Sequence, residues 1–94
     1  MDESTVMQQE SLLVKHGDLI SLRVKLATER AEREGLAERQ YVLTRLKLIS
    51  PGELEPAIEA LKARISEDED KYRELCAEVA ALKTIVFAEQ IATT

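Results

Sequence analysis

Few side chains in this sequence are of the types that carry out chemistry, and they are scattered along the chain. The one histidine is His16, the one cysteine is Cys76, and the densest acidic run is 67-EDED-70. A catalytic histidine needs an orienting partner and a nucleophile within reach, and no spacing here supplies them. We therefore expect no enzymatic activity and no catalytic residue, with His16 as a surface or seam residue of a helix.

Metal and cofactor sites need residue spacings that the sequence also lacks. One cysteine and one histidine cannot form a Cys/His zinc site or an internal disulfide within a single chain. The run 67–70 has neither the Asp/Asn spacing nor the glycine of a calcium loop, and there is no Gly-rich phosphate loop. Glu67 can pair with Lys71 along a helix. We expect a solvated acidic face, no metal and no cofactor, with Cys76 as a packing residue.

The overall composition predicts a small helical protein. Of the 94 residues, 33% are charged and 45% hydrophobic, with only 3 glycines and 2 prolines, which is typical of long helices and coiled coils. The net charge of -5 argues against direct binding to nucleic acid or to an anionic membrane. The acidic first ten residues do not resemble a secretory signal, and no apolar run reaches the ~20 residues of a membrane span. These features predict a cytoplasmic protein.

The second half of the chain carries the clearest pattern, a coiled-coil repeat over residues 54–86 within a helix predicted over residues 54–91. Apolar residues recur at alternating steps of three and four, with a single polar interruption at Asp68. This pattern predicts a helix whose seam residues are Leu54, Ile58, Leu61, Ile65, Tyr72, Leu75, Val79, Leu82 and Val86.

The first half predicts a less regular helix over residues 5–49. We expect its main apolar stripe to face the second helix, with the heptad phase slipping by about one residue before Gly35. The stripe consists of Leu13, Ile20, Val24, Ala27, Ala31, Gly35, Val42, Leu46 and Ile49. The slip leaves two interpretations of Gly35: a tolerated weak point, or a position where the partner helix approaches closely.

A turn over residues 50–53 separates the two helices. Pro51 disfavours a helical conformation at Ser50, and the sequence Ser50-Pro51-Gly52-Glu53 fits a type II turn. It also fits a Ser-x-x-Glu capping box, but Pro56 would then fall in the second helical turn, where it clashes. The short connection predicts an all-α fold: an antiparallel two-helix coiled-coil hairpin, forming one domain over residues 1–94.

Folding back at this turn places Asp68 near Gly35. Arg33 and Arg39 are then within reach of Asp68, so the sequence suggests a buried ion pair that fixes the register of the helices. The alternative is that Asp68 turns outward at a loose position in a thin hairpin.

A further set of apolar residues lies beside the predicted seams at the end opposite the turn. We expect this set to form an uncovered interface, and it consists of Leu12, Leu19, Leu22, Leu26, Ile85, Phe87 and Ile91. A second hairpin packed there would give a dimeric four-helix bundle, whereas a different protein partner could cover the same surface.

These features favour a non-enzymatic protein–protein interaction module: an adaptor, small chaperone or assembly factor that presents helical surface to a partner. The alternative is an acidic inhibitor that mimics nucleic acid and binds a basic protein. Its carboxylates would come from residues 67–70 together with Glu29, Glu32 and Glu34.

Overall fold

The structure, a computed structural model, describes residues 3–93, with side chains described up to residue 88. Helix α1 spans Glu3–Arg45 and helix α2 spans Glu55–Thr93, and the two pack against each other in opposite directions. The all-α helical hairpin predicted from the sequence is therefore confirmed.

Two compact units make up the hairpin. The turn unit is Val24–Glu69, which contains the connection between the helices. The terminal unit comprises the described residues of Met1–Arg23 and Asp70–Thr94. Both helices contribute to each unit, so each unit has its own inter-helix contacts.

The seam of α2 follows the stripe predicted from the sequence. In the turn unit Ile58, Leu61 and Ile65 are buried, and in the terminal unit Val79 and Val86 are buried. Leu61 is the most deeply buried large side chain among the described residues. Each apolar side chain removed from water in this way contributes about 1.5–3 kcal/mol when its burial is complete.

The seam of α1 differs from the predicted one by one residue in phase. The side chains of Leu19 and Leu26 are buried, whereas the predicted seam residues Leu13, Ile20 and Val24 are exposed. Val42 and Leu46 of the predicted stripe are exposed as well. The predicted stripe of α1 is therefore wrong. The intrachain seam instead contains, buried or partly buried, four leucines that were predicted to form an uncovered interface: Leu12, Leu19, Leu22 and Leu26.

The observed seam of α1 keeps the alternating steps of three and four without a slip. Its buried and partly buried members are Leu12, Lys15, Leu19, Leu22, Leu26, Glu29, Arg33, Leu36, Gln40 and Leu43. Four of these side chains are polar or charged, which hides the repeat from a search for apolar residues. A regular heptad on α1 matches the equally regular heptad on α2. Close approach of α2 to Gly35 is not needed, and a Cβ added at Gly35 would meet no atom within 4 Å.

Helix α1 ends four residues before the predicted boundary at residue 49. Lys47 has a φ of 57°, and its N–H donates to the Thr44 carbonyl at 3.0 Å. The Leu48 N–H donates to the Leu43 carbonyl at 2.9 Å. These two bonds form a Schellman motif with Lys47 at the left-handed position, which usually holds glycine.

Substituting Lys47 with glycine is expected to raise the free energy of unfolding by about 1 kcal/mol, because glycine adopts a positive φ without the steric cost of a Cβ. Urea unfolding followed by circular dichroism measures the change. Lys47→Ala is the matched control, since it removes the long side chain but keeps the Cβ. An equal gain in both variants would place the effect in the lysine side chain and contradict the backbone explanation.

Residues 50–53 form a turn that leads directly into α2. The Glu53 N–H donates to the Ser50 carbonyl at 3.1 Å, and Gly52 has a φ of 78°, which are the features of a type II turn. The Glu53 carboxylate also accepts a hydrogen bond from the Ser50 N–H at 3.3 Å. Since α2 begins at Glu55, Pro56 falls in its first turn, where the missing N–H costs nothing.

Candidate functional site

The most exposed cluster of large apolar side chains on α1 lies in the terminal unit, away from the seam. We call it the α1 apolar face, and it consists of Val6, Met7, Leu13, Val14 and Ile20. Their exposed fractions range from 40% to 73%. Such a cluster on a small protein usually marks a surface that another molecule covers.

Regular spacing gives the α1 apolar face the form of a second helical stripe. Val6, Leu13 and Ile20 follow one another at intervals of seven residues, and Met7 and Val14 repeat the same interval one position on. Side chains at this interval lie on one side of a helix. Gly17 falls between Leu13 and Ile20, and a Cβ added there would meet no atom within 4 Å. Another helix could therefore approach α1 closely at this point.

The remaining predicted interface residues lie on α2. Ile85 and Phe87 are exposed, and their role as interface residues stays a prediction. Ile91 lies outside the part of the chain whose side chains are described. None of the five residues of the α1 apolar face is predicted from the sequence to lie on an uncovered surface, because Leu13 and Ile20 are assigned to the intrachain seam and the others to no role.

A layer of charged side chains interrupts the seam of the turn unit. Asp68 is buried, and its Oδ2 lies 3.2 Å from the Nζ of Lys25. The structure thus places an ion pair between Asp68 and Lys25, a residue that the sequence did not single out as its partner. The predicted register is wrong, since the residues opposite Asp68 lie about two helical turns closer to the N-terminus of α1 than expected. The end of α1 at Arg45 instead of residue 49 accounts for about one of these turns.

Glu29 is the second buried charged side chain among the described residues, and it lies opposite Asp68. Neither of its buried carboxylate oxygens has a hydrogen-bond partner among the described residues. Burial raises the pKa of Glu29, and the proximity of the Asp68 carboxylate raises this pKa further. Lys25 and Arg64 oppose these effects by favouring the ionised form. The pattern of apolar residues does not indicate that Glu29 is buried. Its position in the regular heptad of α1 does.

Gln40 joins the two helices where α2 begins. Its Oε1 accepts a hydrogen bond from the Leu54 N–H at 2.9 Å, and its Nε2 donates to the Glu55 carboxylate at 3.3 Å. Because α2 begins at Glu55, Leu54 is at the N-cap position, and Gln40 accepts from its N–H as the Glu side chain of a capping box does. Gln40 thereby fixes the start of α2 against one turn of α1.

The acidic run at residues 67–70 is largely engaged in ion pairs. Asp68 pairs with Lys25, Glu69 lies 3.5 Å from Arg30, and Asp70 lies 2.8 Å from Arg73. Glu29, which the acidic-inhibitor hypothesis also requires, is buried. These contacts leave little unpaired negative charge at Asp68, Glu69, Asp70 and Glu29, whereas Glu32 and Glu34 are exposed, and the acidic-inhibitor hypothesis stays a prediction.

The other chemically suggestive residues do not come together. His16 is exposed and Cys76 is partly buried. Within the described part of the chain, no three His, Cys, Asp or Glu side chains are arranged to hold a metal ion. In the terminal unit two polar contacts join the helices. Lys15 pairs with Glu78, and the Arg23 guanidinium donates to the Tyr72 hydroxyl.

Neither helix, over its described residues, has an apolar stretch long enough to cross a membrane. No protein-family model, curated protein or solved structure matches the chain.

Proposed function

We propose that this protein is a non-enzymatic interaction module that presents the α1 apolar face to another helix, in the manner of an adaptor, small chaperone or assembly factor. The observation that carries the proposal is the exposure of five large apolar side chains in a seven-residue repeat on the side of α1 away from the seam. Water contact with these side chains is unfavourable, and an amphipathic helix laid along them would remove it.

The partner that best fits this face is a second copy of the chain. A stripe with a seven-residue repeat matches a partner helix of the same repeat, and the α1 apolar face supplies one. Two copies related by a twofold axis would use the same residues on both sides, as homodimers commonly do. The opening at Gly17 accommodates close approach of the two helices. The product is the dimeric four-helix bundle expected from the sequence, but its interface uses the opposite side of α1.

Self-association is expected to depend on the α1 apolar face. Wild type at about 100 µM should have twice the chain mass in sedimentation equilibrium, because a weak helical interface populates the dimer at that concentration. The double variant Leu13→Ser/Ile20→Ser should weaken the dimer by at least about tenfold, since each exposed side chain contributes a part of the apolar burial.

The matched control is Leu46→Ser/Leu48→Ser, which removes two side chains of similar exposure near the turn. This variant should keep the wild-type mass. Circular dichroism of both variants should show unchanged helix content, because none of the four positions lies in the seam. A monomeric wild type, or equal weakening by both double variants, would contradict the second copy as the partner of this face.

A further inference from the structure

Glu29 and Asp68 bring two carboxyl groups into the interior of the turn unit. Glu29 is 6% exposed and Asp68 is 4% exposed, and each oxygen of the Glu29 carboxylate is shielded from water. No described donor forms a hydrogen bond with either of these two oxygens. A buried carboxylate without a donor is strongly unfavourable, so this arrangement needs a further ligand.

The nearby cations do not meet this need. The Lys25 ammonium lies one turn before Glu29 on α1, but its Nζ is in contact with Asp68. Arg64 on α2 favours the ionised form of Glu29 through its charge, without a hydrogen bond to the Glu29 oxygens. Arg33 lies one turn further along α1 and is likewise not bonded to those oxygens. The ligand that fits between two facing carboxyl groups is a proton, which converts one acceptor into a donor.

We propose that Glu29 and Asp68 share one proton in the folded hairpin, and that this proton makes the closure of the two helices dependent on pH. The Glu29 hydroxyl donates to a carboxylate oxygen of Asp68, while Lys25 holds the other side of the Asp68 carboxylate. When the turn unit opens at neutral pH, both carboxyl groups reach water and the shared proton is released to solvent.

The direction of the effect is opposite to that of most salt-bridged carboxylates. The pKa of Glu29 is raised in the folded chain, first by burial and then by Asp68, whereas in the unfolded chain it returns to about 4.3. The folded state therefore binds more protons than the unfolded state between these two pKa values. The stabilising contribution is complete below the unfolded pKa and is lost as the pH rises through the folded pKa.

The test is urea unfolding at fixed protein concentration over a pH series from about 5 to 8. In the pH range where folding takes up one proton, the unfolding equilibrium constant of wild type should rise by up to about tenfold per pH unit. In Glu29→Gln the neutral amide donates to Asp68 without a proton, so this rise should disappear. Glu38→Gln, which changes an exposed glutamate of the same helix and unit, should retain the wild-type pH dependence.

A second variant separates a shared proton from burial alone. In Asp68→Asn the amide can donate to an ionised Glu29, so the pH dependence should disappear here too. A pH dependence that is lost in Glu29→Gln but kept in Asp68→Asn would show that burial alone raises the Glu29 pKa, which overturns the shared proton. A wild type and a Glu29→Gln variant with equal pH dependence would overturn the whole proposal.

Discussion

Replacing Leu26 with alanine is expected to lower the free energy of unfolding by about 2–5 kcal/mol, the range for leucine-to-alanine changes in buried positions. Leu26 is 3% exposed and lies in the α1 seam. The loss combines the apolar area returned to water with the cavity left between the helices. Because a second chain could contribute to stability, urea unfolding of wild type and variant must be compared at one protein concentration.

Leu13→Ala is the control that distinguishes which of two apolar stripes of α1 packs against α2. Leu13 is 73% exposed, so its truncation should change the stability of the hairpin itself by no more than about 0.5 kcal/mol. The comparison is made at the lowest concentration that circular dichroism allows, where self-association contributes least. A larger loss for Leu13→Ala than for Leu26→Ala would restore the stripe of Leu13, Ile20 and Val24 as the intrachain seam.

Replacing Glu29 and Asp68 together with leucine is expected to raise the free energy of unfolding at neutral pH by about 1–4 kcal/mol. This is the range found when buried charged groups are exchanged for apolar side chains of similar volume. Leucine at both positions extends the apolar seam that Leu26 and Ile65 already form. The Lys25 side chain, which is 59% exposed, can turn to water when its partner is removed.

The single leucine variants show whether the two acids act as a unit. Glu29→Leu removes the carboxylate that lacks a donor, so it should account for most of the gain. Asp68→Leu leaves Glu29 buried without its proton acceptor, and it should be less favourable than additivity predicts. Thermal and urea unfolding of all four proteins give the coupling free energy through a double-mutant cycle. A double variant less stable than wild type would instead assign the pair a stabilising role in fixing the register.

The sequence was sufficient to predict the fold class and the seam of α2. In that helix every seam position except Asp68 is apolar or aromatic, so the repeat is visible in the residue types alone. Pro51 and Gly52 likewise predict the turn, because each has a backbone conformational preference that few other residues share.

The seam of α1 could not be found by the same search, because polarity and burial disagree along this helix. Gln40 and Glu29 are in the seam, whereas Leu13 and Ile20 are exposed. The end of α1 was also missed, since Lys47 adopts a conformation for which glycine is the usual signal. The error at the end of α1 accounts for part of the displaced register, in which Lys25 is not singled out as a partner of Asp68.

The sequence predicts an uncovered apolar surface, but four of the residues assigned to it, Leu12, Leu19, Leu22 and Leu26, lie in the seam. The sequence indicates more apolar surface than two helices can cover, and an excess of exposed apolar side chains is present. Its position depends on the phase of α1, so an error of one residue exchanges the covered and uncovered sides. Hydrophobic periodicity alone does not resolve two stripes that both repeat every seven residues.

The inter-helix bonds also bear on the order in which the chain folds. The contact between Gln40 and Leu54 closes a loop of 14 residues, whereas the ion pair between Lys15 and Glu78 closes one of 63. For a flexible chain, forming the longer loop first costs about 1.3 kcal/mol more in entropy. We therefore expect folding to begin beside the connection and to proceed from there along the two helices. Each later contact then closes only a short additional loop, which keeps the entropy cost of each step small.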